Sequence, residues 1–131
     1  MRLTRVLLAL AALLVTSCMT LREDEPLGTA NNPVRVDGRA GEVSYLGRLR
    51  CPSGAAPHFH FSHRGPRGPY GNALDRFALR CVIDNRSFSV WIDHEHPGYA
   101  EGRPIAGLEI VEATRVPVGL LGTIADRPAG R

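Results

Sequence analysis

Two runs of alternating apolar residues, separated by a short polar turn, constrain this 131-residue chain more than any other feature. Apolar residues occupy every second position of residues 77–83 (FALRCVI) and again of residues 88–92 (FSVWI). Alternation with a period of two is typical of a strand that buries one face. Between the runs stands the turn Asp84-Asn85-Arg86, and asparagine tolerates a positive φ. The sequence therefore predicts a tight β-hairpin over residues 76–93.

Weaker patterns extend this hairpin into a small domain. Residues 42–51 (EVSYLGRLRC) and 58–61 (HFHF) also alternate, and they are predicted to be half-buried strands. Residues 64–72 and 94–104 are dense in glycine and proline, so loops are predicted there. Residues 105–116 alternate loosely, which favours a strand, with a short helix as the alternative. The predicted fold is mainly β, a small antiparallel sheet or sandwich of about four or five strands.

The N-terminal 40 residues differ from this domain. Residues 1–5 carry two arginines, residues 6–15 form an unbroken apolar run of ten, and small or hydroxylated residues follow. This is the layout of a secretory signal, and the run is shorter than the ~20 residues that a transmembrane helix needs. Residues 20–40 have no sustained apolar period, which favours a flexible segment. We predict a signal peptide over 1–17, a flexible tether over 18–40, a β domain over 41–125 and a frayed tail over 126–131.

The end of the signal resembles the lipobox of bacterial lipoproteins. Residues 15–18 (VTSC) place an aliphatic residue and two small ones before a cysteine, as in that family. The resemblance implies that Cys18 receives a diacylglycerol, becomes the first residue after cleavage, and is acylated, for example with palmitate. A membrane of the cell envelope is then the first partner. Because Met19 follows instead of aspartate, the resemblance implies the outer membrane if the host is Gram-negative.

Two cysteines remain once Cys18 carries its lipid. Cys51 and Cys81 each lie in the apolar phase of a predicted strand, so both side chains are expected to enter one core. The compartment beyond the signal is oxidising, and we predict a disulfide bond between them. Closing a loop of about 30 residues stabilises a fold by ~3 to 4 kcal/mol on the chain-entropy model. The alternative, a redox-active or metal-binding pair, lacks a Cys-x-x-Cys motif.

All five histidines fall in two clusters, residues 58–63 (HFHFSH) and 94–96 (HEH). A His-x-His pair on a strand puts two imidazoles on one face. His58, His60, His94 and His96 could therefore complete a four-nitrogen site for zinc or copper if the strands were adjacent. The competing interpretation is that His58 and His60 are solvent-facing strand residues and that His94 and His96 are ordinary polar residues leading into the turn at Pro97-Gly98. We prefer it, because a His-x-His pair is a weak signal, and predict no metal or cofactor, keeping the four-histidine site as the alternative.

The sequence contains no motif that fixes a reaction or a nucleic acid. The serines lie in no nucleophile elbow, Asp93 and Glu95 are expected to be solvated, and prolines interrupt the glycines that a phosphate nest needs. Without Arg2 and Arg5 the chain has 14 basic and 13 acidic side chains, a net charge of +1. No basic stripe remains, which argues against a nucleic-acid partner. We predict neither catalytic residues nor enzyme activity.

Short phrases between residues 48 and 111 resemble those of small uncharacterised bacterial lipoproteins with two cysteines. They are CPSG from Cys51, GPYGN from Gly68, HPGY from His96 and RPIAGLEI from Arg103. The resemblance supports the anchor and the disulfide and implies no activity. We expect a structural or protein-interaction domain of the envelope, with a periplasmic metal-binding lipoprotein as the alternative. Tyr70, Tyr99 and Trp91 are candidate contact residues, because amphipathic aromatic side chains serve interfaces well. The alternative, which we prefer, is that they shield the edges of a small core.

Overall fold

The computed structural model describes residues 20–113, which form one helix and seven strands. Five strands make one sheet in the order β3-β4-β5-β1-β6, and β2 pairs with β7 in a separate ladder. The mainly β fold with a five-stranded sheet is confirmed. Cys18, the signal peptide and the tail over 126–131 lie outside the described residues. The elements are β1 (Val34–Asp37), α1 (Gly38–Arg48), β2 (Leu49–Arg50), β3 (His58–Arg67), β4 (Ala73–Cys81), β5 (Arg86–Asp93), β6 (Glu95–Ala100) and β7 (Glu109–Ile110).

The predicted hairpin is present as β4 and β5. The strands pair antiparallel from Asp75 opposite Ile92 to Cys81 opposite Arg86. Asn85 has the positive φ that the turn requires, at 52°. Ile83 departs from the prediction, because strand pairing ends at Cys81 and leaves this side chain 75% exposed at the tip of the hairpin.

A helix replaces the strand predicted over residues 42–51. In α1 the buried residues Glu42, Tyr45 and Leu46 are followed by buried Leu49, which is the spacing of one helical face. The alternation suggested a strand only because Glu42 was assigned to the solvent side. Its side chain is fully buried instead, so the period of the buried positions is that of a helix.

Strand β1 lies inside the segment predicted to be a flexible tether. Val34 and Val36 are buried, and β1 pairs parallel with β5 and antiparallel with β6. Before β1 the chain is also held, because Asn32 donates its side-chain amide to the Glu25 carbonyl at 2.8 Å and Gly28 accepts the Trp91 N–H at 2.7 Å. The tether prediction is therefore wrong for residues 22–40. The parallel pair makes the sheet mixed, whereas a wholly antiparallel one was predicted.

Half of the residues in the two segments predicted to be loops lie in edge strands, and the rest are outside regular structure. Residues 64–67 continue β3, and β6 occupies residues 95–100. Pro66 and Pro97 are tolerated because an edge strand has one unpaired side, and both strands carry register shifts. Gly65 is required by packing, since a Cβ there would overlap the Trp91 ring. Composition suggested loops because it does not distinguish a bulged edge strand from a turn.

The strand predicted over residues 105–116 is short in the described part. Only Glu109 and Ile110 pair, and they pair with β2. Ile105 and Leu108 are nevertheless buried, on either side of a turn in which Gly107 has a φ of 87°. This segment therefore adds apolar side chains to the core without extending the main sheet.

The predicted disulfide between Cys51 and Cys81 is confirmed, with their Cα atoms 5.8 Å apart. Cys51 follows β2 and Cys81 ends β4, so the bond ties the end of the α1–β2 segment to the sheet. Both cysteines are 1% exposed and belong to the core. The other buried apolar members of this core are Val34, Val36, Tyr45, Leu46, Leu49, Phe59, Phe77, Leu79, Val90, Ile92, Ile105 and Leu108.

Candidate functional site

The structure does not bring the two His-x-His pairs together. His58 and His60 are exposed on β3 and lie opposite Arg80 and Ala78 of β4. The second pair lies at β6, and three strands separate β3 from β6 in the sheet. Within residues 20–113, no group of three close metal-ligating side chains includes His58 or His60. The alternative four-histidine site is therefore not formed.

His94 instead joins a buried network with two carboxylates. Its Nδ1 lies 3.0 Å from Glu42 Oε1 on α1 and 2.9 Å from Asp75 Oδ2 on β4. Both acidic side chains are fully buried, and the His94 side chain is 14% exposed. Arg64 of β3 adds an ion pair, with its Nε 3.1 Å from the second oxygen of Asp75. Helix and sheet are thus linked by charged side chains at the margin of the apolar core.

The protonation of this network follows from its contacts. Hydrogen bonds to Asp75 and then Glu42 raise the pKa of His94 to about 9, so the imidazole is positively charged at neutral pH. Burial raises the pKa of Glu42, the contact with His94 opposes that shift, and the neighbouring Asp75 adds to it. The ligand atoms of Glu42, Asp75 and His94 lie within 4.8 Å of one another, close enough for one metal ion. A metal would have to displace the Nδ1 proton that now lies between two carboxylates.

A second buried acid, Asp93, organises the adjacent loop. Both of its oxygens lie 3.2 Å from the side-chain amide of Asn72, and one accepts the Glu95 N–H at 3.1 Å. His96 Nε2 is 3.1 Å from the other oxygen in an orientation that makes no hydrogen bond. The His96 ring in turn packs edge-on against Tyr70, with ring centroids 4.9 Å apart. Asp93 therefore fixes the loop that carries Tyr70.

Tyr70 and Tyr99 flank Arg35 at the surface. Arg35 lies on β1 between the buried Val34 and Val36, so its side chain leaves the sheet on the opposite face. Its guanidinium carbon is 4.3 Å from the centre of the Tyr99 ring and 5.3 Å from that of Tyr70. It also donates a hydrogen bond of 3.0 Å to the Tyr99 hydroxyl. Tyr70 is 37% exposed and Tyr99 is 36% exposed.

These three residues form one side of a polar cavity of about 430 Å³, which we call the arginine cleft. The other side carries Arg103, whose guanidinium is paired at 3.0 Å through both Nε and Nη2 with the buried carboxylate of Glu101. Burial would raise the pKa of Glu101, but the hydrogen bonds from Arg103 outweigh it and lower the pKa. Among residues 20–113, the arginine cleft is lined by Glu23, Asn32, Arg35, Tyr70, Tyr99 and Arg103.

Trp91 does not share this surface. Its ring packs edge-on against His63 at a centroid distance of 5.5 Å and lies close to the backbone of Gly65. It lines a separate cavity of about 280 Å³ together with Leu27, Phe88 and other residues. Of the three aromatic residues proposed from the sequence, the arginine cleft brings together Tyr70 and Tyr99.

The sequence analysis missed Arg35, Glu42 and Asp75. Arg35 was assigned to the tether, and its only sequence signal is its place between two valines. Glu42 and Asp75 are 33 positions apart and belong to different elements, so only the fold brings their carboxylates to His94. The one available signal was for Glu42, an acidic residue at a position that should be apolar if residues 42–49 form a helix.

Comparison of the chain with protein-family models, curated proteins and solved structures gives no match. Among residues 20–113, no helix has the length and apolar character needed to cross a bilayer. The geometry of the two charged clusters is therefore the basis for a functional proposal.

Proposed function

We propose that this chain is a lipid-anchored protein of the cell envelope and that its domain is a protein-interaction module, not an enzyme. The lipid on Cys18 would hold it in the outer membrane of a host with two membranes. The interaction role rests on the two exposed tyrosines that flank Arg35. Arg35 itself makes no ion pair with a carboxylate of residues 20–113. Tyrosine and arginine are enriched where protein interfaces are most stable.

The rigidity of this surface supports the proposal. Tyr70 rests on His96, and the Gly98 N–H next to Tyr99 donates to the Asp37 carboxylate at 2.9 Å. Side chains that are already ordered lose less conformational entropy on binding. The contact surface is thus held in place by its own neighbours.

The position of the first packed residue also supports a role close to the membrane. Arg22 already donates its backbone N–H to Asn31 at 2.9 Å, so only four peptide steps separate Cys18 from the folded unit. Four residues span at most about 14 Å when fully extended. A domain on so short a connection would contact partners in or near the membrane surface.

Anchor and contact surface are tested separately. Cys18→Ala should abolish labelling by a fatty-acid analogue and release the protein from the membrane fraction, and labelling that persists would disprove the anchor. For the surface, a photo-crosslinking phenylalanine analogue is placed at position 99 of the full-length chain in cells, with the same analogue at position 83 as the matched exposed control. Adducts are expected from position 99 and should decrease with Arg35→Gln. The same adducts from both positions would contradict the proposed surface.

A further inference from the structure

Arg35 presents unused hydrogen-bond donors to the arginine cleft. A guanidinium has five N–H donors. Within residues 20–113 a single hydrogen bond from Arg35 is formed, from Nη2 to the Tyr99 hydroxyl oxygen. Because that oxygen accepts, the hydroxyl proton of Tyr99 can be donated elsewhere. Arg35 and Tyr99 therefore offer neighbouring donors, which suits the two oxygens of one planar carboxylate.

The charges around the cleft favour a ligand with a single negative charge. Arg103 is neutralised by Glu101, so its charge is already matched. Glu23 also lines the cavity, and its carboxylate repels a dianion about twice as strongly as a monoanion at the same distance. The other arginine of the lining, Arg35, forms no ion pair with an acidic residue of the described chain. A carboxylate fits this balance better than a phosphate dianion.

The cleft also has room and suitable walls for the rest of an organic ligand. Its volume of about 430 Å³ is within the range of small-molecule sites, roughly 300 to 1,000 Å³. The lining is mainly polar, and the partly exposed rings of Tyr70 and Tyr99 are its aromatic groups that a carbon skeleton can contact. Building on the contact surface of the proposed function, we propose that the arginine cleft binds the free carboxylate terminus of a peptide.

The experiment uses the full-length lipid-bearing chain in detergent micelles and four matched ligands. N-acetyl-alanyl-alanine carries the free carboxylate, and its C-terminal amide has the same skeleton without the charge. Acetate supplies the charge without the skeleton, and inorganic phosphate supplies a dianion. Saturation-transfer NMR measures the three organic ligands directly, and phosphate, which has no carbon-bound protons, is measured by its displacement of the dipeptide. We expect the acetylated dipeptide to bind most tightly, acetate more weakly, the amide to give no saturable signal and phosphate to displace no dipeptide.

Variants of two arginines locate the binding site. Arg35→Gln should weaken dipeptide binding about tenfold or more, because it removes a charge-assisted hydrogen bond. Arg35→Lys keeps the charge and loses the planar fork, so it should be intermediate. Arg86→Gln is the control, since Arg86 is stacked on Phe88 beside the hairpin turn and is absent from the cleft lining. It should leave the affinity unchanged.

Each outcome bears on one of the two proposals. Equal binding of the dipeptide and its amide, an affinity unchanged by Arg35→Gln, or a preference for phosphate would overturn the carboxylate site. Acetate binding as tightly as the dipeptide would overturn the peptide class. If crosslinks from position 99 depend on Arg35 while none of the four ligands binds, the ligand assignment fails and the contact surface stands. If no Arg35-dependent crosslinks form at position 99 and none of the four ligands binds, both proposals are refuted.

Discussion

The buried network around His94 and the arginine cleft both contain charged side chains, but they differ in how far their hydrogen-bonding capacity is used. In the network, the His94 Nδ1 has a carboxylate oxygen within 3.0 Å on either side. In the cleft, Arg35 makes a single hydrogen bond to another described residue. A charge enclosed in protein must be matched, because its desolvation is costly, whereas a surface cation can keep donors for a partner. The first cluster therefore stabilises the fold, and the second is available for binding.

Removal of the His94 ring should give the largest difference between the two clusters. His94→Ala leaves the buried carboxylates of Glu42 and Asp75 without their shared cation. Breaking a buried charge pair costs about 3 kcal/mol of unfolding free energy. Arg35→Gln in the cleft should change it by less than about 0.5 kcal/mol, as surface substitutions usually do. Denaturant unfolding of the full-length chain in micelles gives both values.

His58→Ala is the matched histidine control for this comparison. His58 is exposed on the edge strand β3 and belongs to neither cluster, so its removal should have an effect as small as that of Arg35→Gln. A loss as large as that of His94→Ala would mean that burial does not distinguish the two histidines. If wild type and His94→Ala were equally stable, the conclusion that the network stabilises the fold would be wrong.

The dependence of stability on pH should come from the network. The folded pKa of His94, about 9, lies above the unfolded value of 6.5, so its contribution is complete below pH 6.5 and is lost as the pH rises through 9. The raised pKa of Glu42 acts in the same direction at lower pH, because burial disfavours its charged form. Unfolding free energies measured from pH 6 to pH 10 should fall, and His94→Gln should flatten the decrease above pH 7. A decrease that is identical in this variant would place the titrating group elsewhere.

Metal binding is the smallest expected effect. Because the Nδ1 proton of His94 already lies between two carboxylates, Zn²⁺ or Cu²⁺ should bind the full-length chain weakly and without fixed stoichiometry at pH 7. Calorimetric titration measures this. A one-to-one isotherm that is lost in His94→Ala and kept in His60→Ala would show that Glu42, Asp75 and His94 form a metal site. The reverse dependence on His60 would restore the exposed histidines as ligands.

Patterns confined to neighbouring residues could be predicted from the sequence. The β4–β5 hairpin depends on alternation and on one asparagine with a positive φ, and both are local properties. The disulfide followed from having two cysteines in apolar positions and one possible pairing. Tyr70 and Tyr99 could be named as candidate contact residues because a position near a turn is also a local property.

Features that depend on distant contacts could not be predicted in this way. Helix α1 was taken for a strand because Glu42 is buried, and it is buried because His94, far along the chain, lies beside it. Strand β1 is four residues long and becomes a strand only between its neighbours β5 and β6. The pairing of β1 with β5 and β6 also places Arg35 beside Tyr70 and Tyr99. The arginine cleft could therefore not be predicted, because the composition of residues 20–40 gave no indication of strand β1.

The position of β1 has a consequence for the order in which the protein folds. This strand precedes β5 and β6 in the chain but lies between them in the sheet, with Val34 opposite Ile92 and Val36 opposite Ala100. Such distant pairings are slow to form, since a long loop must close first. If the chain is exported from its N-terminus, as we propose, the sheet cannot close before Ala100 has crossed the membrane, and folding follows translocation. The slowest folding step should be the insertion of β1 after the β4–β5 hairpin has formed.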